Sequence, residues 1–254
     1  VRDGVRCSTS LAYLKPAMTR PNLDVQTHAL TTRVLLEGRK AVGVEYRQGA
    51  NTFRVRARKE VILSASSFNS PKLLMLSGIG PAAHLKEHGI EAVHDLPGVG
   101  RNLQDHLEVW VQQECTRKIT LNSWLGPLAK AWIGANWLFL KRGLGISNQF
   151  ESNGYIRSRA GLKWPDIQFH FLAGAIAYDG SSAFKGHGFQ VHLGANKPKS
   201  RGWVKLRSAD PADPPEIVFN YFAEEEDKAA LRAGVRWTRE IFAQPALDPY
   251  RGRE

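Results

Sequence analysis

The sequence predicts an α+β (mixed α/β) fold, and three observations carry that prediction. An apolar run, Val61 to Leu63, gives way to small residues and then to a helix start, the strand, turn and helix order of an α/β layer. Val34 to Arg47 and Thr52 to Leu63 alternate like paired strands, with Gly49 and Asn51 as turn chemistry between them. Pro165 to Leu172, Gly188 to Leu193, Trp203 to Arg207 and Glu216 to Tyr221 are strand-like runs between Gly-rich or Pro-rich turns, which predicts a mainly antiparallel sheet with flanking helices.

Taken in order, Ser8, Thr9 or Ser10 can cap a short helix ending before Pro16, and Asn22 to Thr27 reads as a strand with Leu23 and Val25 on one face. Ser70 suits a helix cap and Pro71 the first helical position, where its missing N–H costs nothing. Leu73, Leu74 and Leu76 give that helix its apolar side and Ser77-Gly78 stops it. A second helix spans Pro81 to His88. Such a strand, small-residue turn and helix N-terminus can hold an anionic group, because exposed N–H groups point at it. A plain packed helical turn would read the same way.

Gly98-Val99-Gly100 then allows a close backbone approach. Asp105 and His106 are adjacent rather than spaced as ligands on one helix face, so hydrogen-bonded packing is expected there and no metal site. From about Leu107 the character changes. Val109 to Gln113 alternates like a strand, and Trp124 to Lys141 is a helix whose apolar positions wrap most of its circumference, which predicts packing from several sides. His170 and His192 sit singly in strands without a visible carboxylate partner. The last helix starts around Ala223 to Asp227, acidic first and basic later, with Leu231, Val235, Thr238 and Phe242 at helical spacing.

The formal charge is +11, from 35 Lys plus Arg against 24 Asp plus Glu. The basic residues are dispersed and no recognition module accompanies them, so a nucleic-acid binder is not expected. Arg54, Arg56, Arg58 and Lys59 read as a solvated strand edge. Two cysteines, Cys7 and Cys115, make neither a disulfide framework nor a thiolate metal site. The apolar run Leu125 to Leu140 includes Lys130 and falls short of the roughly 20 residues a bilayer span needs.

Ser66-Ser67-Phe68-Asn69-Ser70-Pro71-Lys72-Leu73-Leu74-Met75-Leu76-Ser77-Gly78-Ile79-Gly80, with Gly98-Val99-Gly100-Arg101-Asn102-Leu103-Gln104-Asp105-His106, resembles the second signature region of the glucose-methanol-choline flavoprotein oxidoreductases. The resemblance runs on through Ser147 to Ser152, Ser200-Arg201-Gly202 and Gln244 to Glu254, where it is closest to the choline-oxidising members. It implies FAD as cofactor, with Val34, Ala65, Ser66, Asn69, Ser70 and Asn102 as cofactor-binding residues. The implied reaction removes the alcohol proton and passes hydride to flavin, turning choline into betaine aldehyde.

The resemblance further implies a respiratory electron acceptor, with a cytoplasmic location or peripheral attachment to the inner face of a membrane. No Gly-x-Gly-x-x-Gly follows an N-terminal strand. The chain is therefore expected to be an internal fragment with a partial FAD-binding domain, without the C-terminal catalytic segment, and inactive alone. The expected segments are 1–107 for the partial FAD-binding domain, 108–222 for a substrate domain, and 223–254 for a helix returning toward the first.

Choline carries a quaternary ammonium, which aromatic faces and a carboxylate recognise. Glu151 and Phe150 are the expected substrate-binding pair, with a plain surface carboxylate as the alternative for Glu151. Other readings kept open are a different primary alcohol as substrate, or a noncatalytic binding or scaffold protein.

Overall fold

The computed structural model describes residues 1–254 except Glu151 and Tyr178. In chain order its named elements are α1 (Lys15–Ala17), β1 (Leu30–Glu37), β2 (Lys40–Gln48), β3 (Asn51–Arg56), α2 (Ser66–Leu76), β4 (Ile79–Gly80), α3 (Ala82–Glu87), β5 (His94–Asp95), β6 (Arg101–Leu103), β7 (Glu108–Cys115), α4 (Pro127–Ala135), β8 (Ser152–Ile156), β9 (Ile167–Leu172), β10 (His187–Ala195), β11 (Gly202–Lys205), β12 (Glu216–Val218) and α5 (Glu225–Phe242). The chain divides into two compact units. One holds Val1–Leu23, His106–Pro198 and Glu224–Glu254; the other holds Asp24–Asp105 and Lys199–Ala223.

The second of these units opens on an antiparallel meander, β1-β2-β3. Tyr46 stacks on Phe53 across the β2–β3 pair at 5.3 Å. Glu45 is the electrostatic centre of the meander. Arg33 meets it through both of its oxygens at 3.1 and 3.0 Å, and Arg54 donates to it at 2.9 Å. The Arg33 bonds, opposed by burial and helped by Arg54 and Thr32, take the Glu45 carboxyl from 4.5 to about 2. The basic edge is thus partly an ion-pair ladder, since Arg56 also meets Glu37 at 2.6 Å.

A folded-state pKa below the unfolded one stabilises fully above about 4.5, and the contribution disappears as pH falls toward about 2. Acid unfolding followed by circular dichroism is therefore expected to lose stability in that window in the wild type. Glu45→Gln should flatten that part of the curve and cost stability at neutral pH. An unchanged acid limb would show that Glu45 is not the group responsible.

The helix after the meander departs from its expected start. It opens at Ser66, not Ser70, and Pro71 lies inside it. Phe68 packs edge-on against Phe219 at 6.0 Å, which rewards folding the extra turn, while the Ser70 hydroxyl accepts from the Ala65 N–H at 3.1 Å. Asn22 to Thr27 and Val61 to Leu63 form no strand, and Ile62 is 76% exposed. Without a partner ladder, apolar residues alone do not make a strand. The unit closes with the sheet β12-β11-β6 and a small core of Met75, Leu85 and Leu206.

The other unit is built on the four-stranded antiparallel sheet β7-β10-β9-β8. The period-two alternation of these strands separates two faces. Val111, Phe189, Val191, Leu193, Ile167 and Phe169 form the core under α5, whose Leu231 and Phe242 pack into it. The expected helix over Trp124 to Lys141 is interrupted: α4 begins at Pro127, and a π-helical turn, Asn136–Leu140, ends at Lys141 in the left-handed region. Its apolar residues are not packed from several sides either, with Leu128 87% and Phe139 78% exposed. The chain's end adds to the β7 edge, where Glu114 N–H donates to Arg253 O and Gly252 N–H to Glu114 O, each at 2.7 Å.

Candidate functional site

The second face of the four-stranded sheet carries the chemistry. Register places Trp110, His192, His170 and Asn153 in one row across all four strands. Together with Glu108, Asn148 and Phe150 they line a cavity of about 570 Å³. Trp110 lies 4.3 Å from the His192 ring, and Phe150 sets its edge toward His192 at 5.2 Å and His170 at 5.9 Å.

Glu108 Oε1 accepts from the Trp110 indole N–H at 2.8 Å and meets His192 Nδ1 at 3.1 Å. Burial pushes its carboxyl up, but the Trp110 bond, the His192 bond and the nearby imidazoles outweigh burial and hold it below the usual carboxylate range. The carboxylate is ionised at neutral pH. His192, expected to lack such a partner, has one after all.

Phe150, one of the two expected substrate contacts, is in the cavity wall; Glu151 lies outside the described residues. Sequence reading missed Glu108 and Trp110. Their signal was present in the polar alternation of Glu108, Trp110 and Gln112 against Val109 and Val111, but only strand register shows that they meet His192.

Of the six residues expected to hold the cofactor, four share one turn at the start of α2. Ser66 opens it with φ +70°, a left-handed conformation that favours glycine and is strained for serine. Ala65, Ser66 and Asn69 are exposed, and α2 has no side-chain cap on its first turn, so this turn is a donor-rich surface that suits an anionic or carbonyl-bearing ligand. Val34 is 6% exposed, and its N–H donates to Ser77 Oγ at the other end of α2, at 2.8 Å. An 11-residue helix rises about 16 Å at 1.5 Å per residue, so Val34 lies about a helix length from this turn rather than clustered with it. Asn102, at φ +60°, accepts from Arg201 Nε at 2.9 Å.

Asp105 packs by hydrogen bonding, accepting from the Tyr221 hydroxyl at 2.5 Å, and burial together with that bond pushes the phenol up to about 12. His84, Glu87 and His88 bring ligand-type atoms within 4.8 Å of one another. His84 Nε2, however, accepts from the Leu206 N–H at 3.0 Å, which puts the proton on Nδ1 beside Glu87 and leaves His84 no lone pair for a metal.

The architecture on the page is a mixed α/β framework with an exposed helix start and an aromatic, carboxylate-bearing cavity. The chain belongs to the GMC oxidoreductase family, which it matches over residues 1–108 in the N-terminal region and 198–253 in the C-terminal region, together more than half of its length. It is 58% identical over 254 residues to an oxygen-dependent choline dehydrogenase of Brucella anthropi, covering 100% of this chain and 46% of that protein. A protein of the same description from Photobacterium profundum is 56% identical over the same span, 45% of its length. The chain therefore spans about half the length of the curated relatives it matches.

Among solved structures, a formate oxidase from Aspergillus oryzae superposes with a TM-score of 0.90 at 27% identity, covering 100% of this chain and 49% of that one. A pyridoxine 4-oxidase from Mesorbium loti gives 0.82 at 26%, covering 100% and 46%.

These matches correct the expectation of a partial FAD-binding domain without the C-terminal segment. Both family regions are present, and the likeness to formate oxidase runs through the whole of this chain. The missing glycine motif bore on one loop and was too narrow a basis for judging either region. Among the described residues no helix is long and apolar enough to cross a membrane.

Proposed function

We propose that the protein takes part in FAD-dependent oxidation of choline to betaine aldehyde. The single observation carrying this is the 58% identity to an oxygen-dependent choline dehydrogenase along the entire chain, and the cavity chemistry supports it. The first turn of α2, with Ala65, Ser66, Asn69 and Ser70, holds the FAD in this reading, while Val34 and Asn102 fix the backbone around it. Bound FAD supplies the hydride acceptor.

The sheet face of the other unit is the substrate wall. Trp110 and Phe150 offer ring faces and edges to a trimethylammonium group, and Asn148 and Asn153 offer polar contacts. Excluding water from such a wall strengthens every charge interaction in it. Glu151 and a respiratory electron acceptor belong to the same proposal.

An enzyme that contains this chain, supplied with FAD and a dye acceptor, is expected to reduce the dye with choline and to do so poorly with 3,3-dimethylbutan-1-ol, which has the same shape without the charge. Equal rates with the two alcohols would favour a neutral primary alcohol as substrate. No flavin absorbance after purification with FAD would sink the cofactor assignment.

A further inference from the structure

We propose that the outer face of α4 and of the π-helical turn that follows it is a membrane-docking surface, made to lie in the plane of an anionic lipid leaflet. The inference is independent of the oxidation reading.

The segment is held from its inner side. Trp137 Nε1 donates to Gly4 O at 2.7 Å, and an added Cβ on Gly145 would lie 2.8 Å from Trp137 Cβ and 3.5 Å from Ile133 Cγ2. Lys141, in the left-handed region, stops the segment and turns its ammonium over the Trp137 ring at 4.0 Å. With Ile133 and Trp137 so fixed, the outer side is a set surface.

That surface is apolar and open. No residue of Pro127–Ala135 or Asn136–Leu140 is buried. Leu128 and Trp132, four positions apart, share a helix face, and Trp132 is 63% exposed. Leu138, Phe139 and Leu140 continue the apolar surface, each more than half exposed. Single exposed apolar residues need no account, but five large ones within one short segment mark a contact surface.

Charge decides what it contacts. Residues 115–150 hold five Lys or Arg and no Asp or Glu. Lys130 and Arg142 are exposed and form no ion pair among the described residues. The turn from Arg2 to Val5, which meets this segment through Gly4, carries Arg2 as well as Asp3 and so adds no net negative charge. A protein cover would strand these cations away from water unless it brought carboxylates of its own. An anionic leaflet suits both features at once. Its acyl chains take Leu128, Trp132 and Phe139, while its phosphates meet the cationic groups that long stems carry back to headgroup level. The segment is shorter than the roughly 20 residues a span needs, so it lies on the bilayer and does not cross it.

The test is flotation of an enzyme that contains this chain, without choline, on vesicles of phosphatidylcholine alone and of phosphatidylcholine mixed with phosphatidylglycerol. Binding to the mixed vesicles should be at least about tenfold tighter, the scale of two cations near a charged surface, and should weaken as salt rises. Lys130→Gln with Arg142→Gln should remove most of that preference. Leu128→Ser with Phe139→Ser should abolish binding and leave the melting temperature unchanged, because both side chains are largely exposed. Brominated acyl chains should quench tryptophan emission, and Trp132→Phe should remove the larger share of that quench. This last measurement stands even if the double serine variant fails to fold.

Absent binding, or equal binding to the two kinds of vesicle, would overturn the proposal. So would binding that survives Leu128→Ser with Phe139→Ser, or a quench indifferent to Trp132→Phe. A Trp132 shielded from acrylamide before vesicles are added would overturn it too, and would place this face under the remainder of the enzyme or a second copy. No measurement here uses choline or flavin, so its failure leaves the oxidation reading standing, and failed choline turnover leaves the docking surface standing.

Discussion

Gly202→Ala is expected to cost about 3 kcal/mol or more, enough to unfold a marginal unit, because a side chain there meets backbone rather than a movable neighbour. Gly202 starts β11 between β6 and β12. A Cβ on it would lie 1.8 Å from Val218 O and 2.8 Å from both the Cα and the carbonyl carbon of Phe219. The carbonyl cannot retreat without breaking the pairing of Trp203 with Val218. The turn that follows is already committed, with Asn220 and Phe222 at φ +56° and +60° and Asn220 Nδ2 donating to Arg201 O at 3.0 Å. Urea unfolding should move to a much lower midpoint, or the protein should be insoluble. Gly49→Ala is the control. It has open space but φ +59°, and should cost only about 1 kcal/mol. A Gly202→Ala midpoint within error of wild type would mean that β12 does not lie over β11 as described.

What was legible in the sequence follows from the range of the forces involved. The meander was readable because alternation and turn residues lie within a few positions of each other. The second antiparallel sheet was readable as strands for the same reason, since each strand announces its own two faces. Its partners were not. Trp203 to Arg207 and Glu216 to Tyr221 resemble the strands before them, yet β11 pairs with β6, far back in the chain, and β12 joins the other edge of β11. Nothing local records which edge a strand will join. The last helix was visible by periodicity and by its charge order, but its destination under the β7-β10-β9-β8 sheet depends on a core assembled from four other segments.

The site divides in the same way. The small-residue turn at Ala65 to Ser70 is contiguous, so its motif could be read directly, whereas its helix start shifted by a turn because Phe68 finds Phe219. His192 looked isolated because Glu108 is 84 positions away and reaches it only through the β10–β7 register. Phe150 was found through the neighbouring polar run, but its meaning as the edge shared by His170 and His192 came from packing.

The remaining large effect concerns how closely α5 lies on its sheet. Leu193→Ala should destabilise by about 3–5 kcal/mol, toward the upper end for such truncations, because Leu193 is fully buried at the centre of the core with Val191, Ile167 and Phe169 around it. Rigid strands on both sides leave the hole little room to collapse. The helix meets this residue at Gly234, where an added Cβ would lie 2.6 Å from Leu193 Cδ1 and 3.4 Å from Ile167. Gly234→Ala alone should cost about 1–3 kcal/mol through overpacking, net of the roughly 1 kcal/mol that alanine contributes in a helix. In the double variant the new methyl enters the space vacated by the leucine, so the two losses should add to clearly less than their sum, with a coupling of about 1 kcal/mol or more. Denaturant titration of the four proteins measures that coupling directly. Strict additivity would mean that Leu193 and Gly234 do not touch, and the packing of α5 on β10 would have to be redrawn.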